Sequence, residues 1–187
     1  MSFKGEIEAR CPQGCEPFTT DVWSFIRGDQ NPELRDAVLW RECNLLLCDA
    51  CEKPFFPDAA YVYFEPKAEL LAFVFPESFR DREEYWRKKM QEDFAAMKKA
   101  LAEHVALIDE PMLFFGHEEL AQVLENEDYQ SEECEVMEHF AKELGLSLYR
   151  VSPSYARRQR VPRVLPCAGK SAARPTLAAI NDGLKQL

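Results

Sequence analysis

The chain has 187 residues, of which 47% are apolar, a size typical of one domain with an appendage or of two small domains. Its net charge of −10 argues against nucleic acid wrapping most of its surface, because phosphates need cations to neutralise them. No apolar run approaches membrane-spanning length and the N-terminus carries no signal-peptide core, so we expect a cytoplasmic protein without membrane contact.

The charge is distributed unevenly along the chain. Residues 1–149 contain 32 Asp and Glu against 15 Lys and Arg, whereas residues 150–187 contain one acid against eight Lys and Arg. Such asymmetry is typical of a body with a separate arm. The sequence therefore predicts a folded domain over residues 1–149 and a basic tail over residues 150–187.

Two strands and a helix are predicted before residue 40. Residues 3–10 alternate between apolar and polar side chains, and residues 18–23 are β-branched and aromatic, so the two segments predict a hairpin. Asn31 as the N-cap, followed by Pro32 at the first helical position, predicts the start of a short helix.

Two close cysteine pairs flank these elements. Cys11 and Cys15 occupy the tip of the predicted hairpin, and Cys48 and Cys51 follow the short apolar run 44–47, which is predicted to be a buried strand. Cysteine pairs on tight turns supply the four thiolates that Zn²⁺ prefers in structural sites, and an odd total of seven cysteines disfavours a disulfide framework. We predict one structural Zn²⁺ on these four residues, with unliganded thiols, or Cys43 in place of Cys15, as alternatives.

The middle of the chain contains further strands and then helices. Residues 61–64, 70–75 and 112–115 have strand character. A long helix over 78–105 is predicted by one apolar stripe, and two shorter helices are predicted over 117–126 and 131–144. The residues of the stripe are Trp86, Met90, Phe94, Met97, Leu101 and Val105. The predicted fold class is α+β: an antiparallel sheet with an inserted four-cysteine zinc ribbon, packed helices and the basic tail.

The tail changes in character at residue 152. Prolines punctuate a basic stretch, which predicts an extended linker over 152–175, and an apolar spacing predicts a short amphipathic helix over 176–187. A helix this short needs a surface to bury against, so we predict that the tail binds a partner protein, a second copy or the body of the chain. The predicted partner-binding residues are Arg157, Arg158, Arg160, Arg163, Leu177, Ile180 and Leu184.

The remaining chemistry-bearing residues form no recognisable catalytic motif. His117 and Glu118 resemble the start of a His-Glu-x-x-His zinc helix, but Ala121 occupies the position of the second histidine. A closed four-thiolate site leaves no coordination position for water or substrate. The sequence therefore favours a non-catalytic zinc-binding interaction or regulatory module in a protein complex. The alternatives are a nucleic-acid-binding protein using the zinc ribbon and basic tail, and an enzyme with an unrecognised site.

The order of these features resembles a known family, the bacterial and archaeal CpXC domain. The resemblance rests on Cys11-Pro12 through Cys15, Val22-Trp23-Ser24, Asn31-Pro32-Glu33-Leu34, Asn44-Leu45 and Cys48 to Cys51, with Phe115-Gly116-His117-Glu118-Glu119-Leu120 later in the chain. It covers about residues 3–149. The family is named for two Cys-Pro-x-Cys motifs, whereas here the first pair has an extra residue and Asp49 replaces the second proline. The resemblance implies a zinc ribbon and no established activity.

Overall fold

The computed structural model describes residues 1–100, 110–169 and 174–187. The chain divides into two compact units, Met1–Leu124 and Glu125–Leu187, whereas the sequence predicted a division after residue 149. Both units combine helices with strands, so the predicted α+β class is confirmed.

The described residues contain nine strands and five α-helices, together with short 3-10 helices and loops. The strands are β1 (Phe3–Ala9), β2 (Phe18–Arg27), β3 (Leu46–Leu47), β4 (Pro54–Phe55), β5 (Tyr61–Glu65), β6 (Leu70–Phe75), β7 (Met112–Phe115), β8 (Ser147–Arg150) and β9 (Val164–Cys167). The α-helices are α1 (Pro32–Leu39), α2 (Glu83–Ala100), α3 (Glu118–Leu144), α4 (Pro153–Gln159) and α5 (Leu177–Leu184).

The first unit is built on a five-stranded sheet with the order β1-β2-β5-β6-β7. The predicted antiparallel sheet is wrong in two of its four pairings: β1 with β2 and β5 with β6 are antiparallel, but β2 with β5 and β6 with β7 are parallel. Parallel neighbours need a long crossover connection. The segment containing α1, β3 and β4 connects β2 to β5, and the segment containing α2 connects β6 to β7.

Strand β6 shows why this sheet is buried on both faces. All six of its residues are buried, and successive side chains point to opposite faces of a strand. Leu70, Ala72 and Val74 belong to one apolar cluster. Leu71, Phe73 and Phe75 belong to the other. The sheet therefore needs a helical layer on each side.

Helix α2 supplies one of these layers. Its buried Met90 and Phe94 pack in the cluster that contains Phe73, with Trp86 and Met97 partly buried beside them. The prediction of a helix packed on one face of the sheet is therefore confirmed. The predicted helix began at residue 78, but Glu77–Arg82 forms a 3-10 helix, and the predicted end beyond residue 100 lies outside the described residues.

The other face is covered from two places in the first unit. Leu34 and Val38 of α1, and Leu120 and Leu124 at the start of α3, are buried in the same cluster as Ile26 of β2. The prediction of two separate helices at 117–126 and 131–144 is wrong, because α3 is continuous over 27 residues.

The second unit contains a hairpin where the sequence predicted an extended linker. Strands β8 and β9 pair antiparallel, with Tyr149 opposite Leu165, and α4 lies between them in the chain. The linker prediction over 152–175 is therefore wrong as far as residue 167, and its residues 170–173 lie outside the described residues. Proline at the first position of α4 is compatible with a helix, and Pro166 lies within β9, a strand with a single strand partner.

Helix α5 packs against this hairpin. A Cβ atom on Gly183 would lie 2.4 Å from the carbonyl oxygen of Pro166, so the helix approaches the strand more closely than any other residue type would permit. The Ala168 N–H donates to the carbonyl of Ala179 at 2.9 Å. The surface required by this short helix is therefore supplied, at least in part, by its own unit.

Within the described ranges, every helix is too short or too polar to cross a lipid bilayer.

Candidate metal centre

The first cysteine pair lies on a tight turn between β1 and β2. The Gly14 N–H donates to the Cys11 carbonyl at 3.0 Å, and Gly14 has a φ of 78°, which glycine adopts without steric cost. The Gln13 N–H points at the Cys11 sulfur, 3.4 Å away. The additional residue in this pair is thus accommodated in a turn in which the Gln13 amide faces the Cys11 thiol.

The second pair lies on the turn that connects β3 to β4. The Cys48 carbonyl accepts from Glu52 at 2.7 Å, and the Cys48 N–H donates to the Lys53 carbonyl at 3.1 Å. Glu52 has a φ of 54°, in the left-handed region where turns of this kind reverse direction. The Lys53 ammonium also donates to the Gln13 amide oxygen at 3.0 Å, which joins the two turns.

The two turns bring four sulfur atoms together. Cys11, Cys15, Cys48 and Cys51 place their Sγ atoms within 4.8 Å of one another. The Sγ atoms of Cys11 and Cys51 are 3.7 Å apart. A zinc tetrahedron with bonds of about 2.3 Å has sulfur–sulfur edges of about 3.8 Å, whereas a disulfide bond needs about 2.0 Å. The spacing therefore suits a four-thiolate metal site and not a disulfide.

An apolar shell surrounds the cluster. Cys11 and Cys48 are buried together with Ala9 and Phe55, and the rings of Phe18 and Phe55 meet edge to face at 6.2 Å. Ala9 and Phe18 are also paired partners in the β1–β2 ladder, so the sheet itself positions the shell. A dry shell strengthens the attraction between thiolates and a cation.

The electrostatics of the cluster depend on its backbone amides and on the thiols themselves. Hydrogen bonds from the amides of Cys51 and Ala50 lower the pKa of the Cys48 thiol to about 7. Hydrogen bonds with the Cys51 and Cys48 thiols raise the pKa of Cys15 to about 12. Four sulfurs this close cannot all be ionised unless a cation neutralises them, and thiolate is the form that binds a metal.

The remaining cysteines lie outside this cluster. Cys43 belongs to the apolar cluster on the α1 side of the sheet, where burial raises the pKa of its thiol to about 12. It is not part of the described metal-binding group, so the structure does not place it in the position of Cys15. Cys134 and Cys167 lie in the second unit.

The predicted partner-binding residues of the tail are divided between buried and exposed positions. Arg157 and Arg163 are largely buried and form ion pairs with Glu127 of α3, the first at 2.7 Å. Arg158 and Arg160 are exposed. On α5, Leu177 and Leu184 are exposed and Ile180 is half-buried.

Sequence reasoning gave little weight to one histidine that the structure places in a cavity. His117 precedes α3, and its imidazole ring lies 4.2 Å from the ring of Phe56 and 6.0 Å from that of Tyr61. The sequence around residue 117 did not indicate which aromatic rings the His117 imidazole would contact, because Phe56 and Tyr61 lie more than 50 residues earlier in the chain.

Comparison with protein families identifies a match over most of the chain. The model of the family described as CpXC protein matches residues 9–138, which is more than half of the chain. The comparisons with curated proteins and with solved structures gave no match.

Proposed function

The chain belongs to the CpXC family, and from this premise we propose that it is a cytoplasmic, non-catalytic module whose four cysteines hold a structural Zn²⁺. The observation that carries the proposal is the group of four sulfur atoms within 4.8 Å, with one pair at the separation expected for a zinc tetrahedron. When bound, the ion would contribute only to folding, because four protein thiolates leave it no open position.

Folding of the two turns is the physical task of such a site. Strands β3 and β4 have two residues each, and a two-stranded sheet of this size is not stable in water on its own. A cation that joins this hairpin to the turn after β1 adds metal–ligand bonds to the small apolar cluster around Phe55. The proposed zinc ribbon is therefore the support on which the β3–β4 hairpin depends.

Metal content tests this part of the proposal. We expect about one zinc per chain by elemental analysis of the purified protein, and its loss in Cys48→Ser. Cys134→Ser is the matched control, since Cys134 lies outside the metal-binding group. A protein that binds no zinc and keeps its β3–β4 amide protection in chelator would contradict the proposal.

The second part of the proposal is interaction with a partner protein. Leu177 is 79% exposed and Leu184 is 48% exposed on α5, although both belong to a strongly amphipathic helix. Apolar side chains on one helix face are typical anchors for a protein groove. The proposed partner-binding residues also include the exposed Arg158 of α4 and Arg160, which follows that helix.

A pair of variants tests the interaction. Leu177→Glu with Leu184→Glu should abolish self-association or a stoichiometric complex in sedimentation experiments, while Ala178→Glu, at an exposed position on the same helix, should not. Unchanged association in the double variant would contradict this use of α5. A steep loss of DNA or RNA affinity with salt, removed by Arg158→Gln with Arg160→Gln, would instead favour the nucleic-acid alternative.

A further inference from the structure

A cavity of about 220 Å³ lies in the first unit, beside the sheet. Its lining comes from the segment that follows β4, from β5 and β6, from the start of the 3-10 helix before α2 and from the residues before α3. None of the four clustered cysteines is among its lining residues. A cavity of about 150 Å³ in a protein core can hold benzene, so this one accommodates a molecule of about seven non-hydrogen atoms.

The floor of the cavity contains a hydroxyl group without a partner. Tyr61 is 2% exposed, and among the described residues its hydroxyl has no hydrogen-bond partner. Buried polar groups in native proteins almost always have a partner, because an unsatisfied hydroxyl costs more than a hydrogen bond contributes. A molecule inside the cavity can supply that partner, because Tyr61 is one of its lining residues.

His117 adds a second polar atom to the same space. Its Nδ1 is buried and, within the described parts of the chain, has no hydrogen-bond partner. Burial lowers the pKa of the imidazole below its ordinary value of 6.5, so the ring is neutral at pH 7.5 and one of its nitrogens is an acceptor. A neutral hydroxyl on a ligand can satisfy both Tyr61 and His117, since a hydroxyl both donates and accepts.

The mouth of the cavity is acidic. Asp58 and Glu77 are exposed lining residues, whereas no Lys or Arg occurs among the lining residues that the structure describes. Glu77 is balanced by Arg80, whose Nε donates to it at 2.5 Å. Asp58 accepts a hydrogen bond from the neutral Ser78 hydroxyl at 2.6 Å, and it forms no ion pair with another described residue. The mouth therefore attracts a cation and repels an anion.

The region between floor and mouth is apolar. Val74 is buried there, in the same apolar cluster as Tyr61, and Phe56 contributes an aromatic face. A ligand that suits the whole cavity has a neutral hydroxyl at one end, a short hydrocarbon chain and a cationic group at the other. We propose that the cavity binds a small primary amino alcohol, with its hydroxyl at Tyr61 and His117 and its ammonium group at Asp58.

Four probes of nearly equal size separate the parts of this proposal. They are 5-amino-1-pentanol, pentylamine, 1,5-pentanediol and 5-hydroxypentanoate, each titrated at pH 7.5 against the ¹⁵N-labelled full chain. We expect the amino alcohol to bind with a dissociation constant on the order of 1 mM. Pentylamine should bind about tenfold more weakly because it leaves the floor unsatisfied. The diol should bind a few-fold more weakly, and the anion should not bind measurably.

Two variants locate the hydroxyl end. Tyr61→Phe removes only the unpartnered hydroxyl, so the fold should be retained, and the advantage of the amino alcohol over pentylamine should shrink several-fold. Tyr129→Phe, at an exposed tyrosine of the second unit, is the matched control and should change neither affinity. Pentylamine affinity in Tyr61→Phe reports whether the cavity itself is intact.

A third variant locates the cationic end. Asp58→Asn should weaken the two amines by up to about fivefold and leave the diol unaffected. No shift of the resonances of Tyr61 and His117 would overturn the proposal and show that the cavity binds none of the probes. Equal affinities for all four probes would also overturn it, because the cavity would then select neither the hydroxyl nor the ammonium group. Binding of the anion with the same affinity as the amine would overturn the assignment of its charge.

Discussion

The two units are stabilised by different means. The first has a sheet that is apolar on both faces, with a helical layer against each. The second has a carboxylate at its centre: Glu127 is 5% exposed and contacts the guanidinium groups of both Arg157 and Arg163. An apolar core tolerates small changes of shape, whereas a buried ion pair loses about 3–5 kcal/mol of stability when one partner is removed. The units should therefore respond differently to comparable substitutions.

The largest effect should follow loss of the four-cysteine cluster in the first unit. Removal of the proposed Zn²⁺, or Cys48→Ser, should destabilise that unit by about 5 kcal/mol or more, because either change abolishes the four-thiolate site and its metal–ligand bonds. Amide hydrogen exchange measures this effect: it should accelerate in β3 and β4 of the first unit and stay unchanged in β8 and β9 of the second. Equal acceleration of exchange in all four strands would show that the comparison between units is wrong.

Removal of the buried carboxylate should have the next largest effect. Glu127→Gln removes the buried carboxylate that contacts both guanidinium groups, which should cost about 3–5 kcal/mol. Glu138→Gln is the matched control on the same helix. It disrupts only the exposed pair with Arg150, at 2.6 Å, and should cost less than about 1 kcal/mol. Urea unfolding monitored by amide signals of β8 checks both values, and similar losses in the two variants would contradict a role for burial.

Alanine substitution of one glycine in each unit should change stability by a smaller amount, and by different amounts in the two units. Gly183→Ala places a methyl group against the backbone of Pro166 and should cost about 1–3 kcal/mol despite the better helix propensity of alanine. Gly5→Ala in β1 meets only Ser24, at an ordinary 3.6 Å, and should be neutral or slightly stabilising. Thermal unfolding of both variants is the measurement. A neutral Gly183→Ala would mean that α5 does not pack closely on β9.

The smallest effect should be the pH dependence contributed by His117. Burial lowers its pKa below 6.5 in the folded state, although the carboxylates of Asp58 and Glu77 line the same cavity. The unfolded state then binds a proton at His117 more readily than the folded state does. The stability contributed by neutral His117 is therefore fully present above pH 6.5 and is lost as the pH falls towards the lower folded pKa. The free energy of unfolding in urea should fall less between pH 7.5 and pH 5.5 for His117→Asn than for the parent protein. His139→Asn is the control and should behave like the parent.

Much of the first unit could be predicted from residue patterns. The apolar and aromatic runs at 61–64, 70–75 and 112–115 correspond to β5, β6 and β7, and proline at residue 32 begins α1. These elements follow local rules of alternation and capping. The cysteine pairs likewise indicated a metal site, because each pair lies on one turn and needs only its own spacing to be recognised.

The misassignments occurred where polar groups or long-range contacts determine the structure. Residues 44–47 were predicted as a buried strand, yet only Leu46–Leu47 pairs, and Leu45 and Leu47 are exposed. Asn44 instead has a φ of 61°, and its side chain accepts from the Trp23 N–H at 2.7 Å. An apolar run by itself does not reveal which side chains a distant strand will cover.

The sequence by itself determined the α+β class, most strands of the sheet and the two cysteine-bearing turns, because each depends on neighbours within a few residues. Only the tertiary structure decided the parallel pairings, the Glu127 ion pairs and the meeting of His117 with Phe56 and Tyr61. Those contacts join residues about 30 or more positions apart. Their formation depends on how crossover segments and helices pack, which no local pattern specifies.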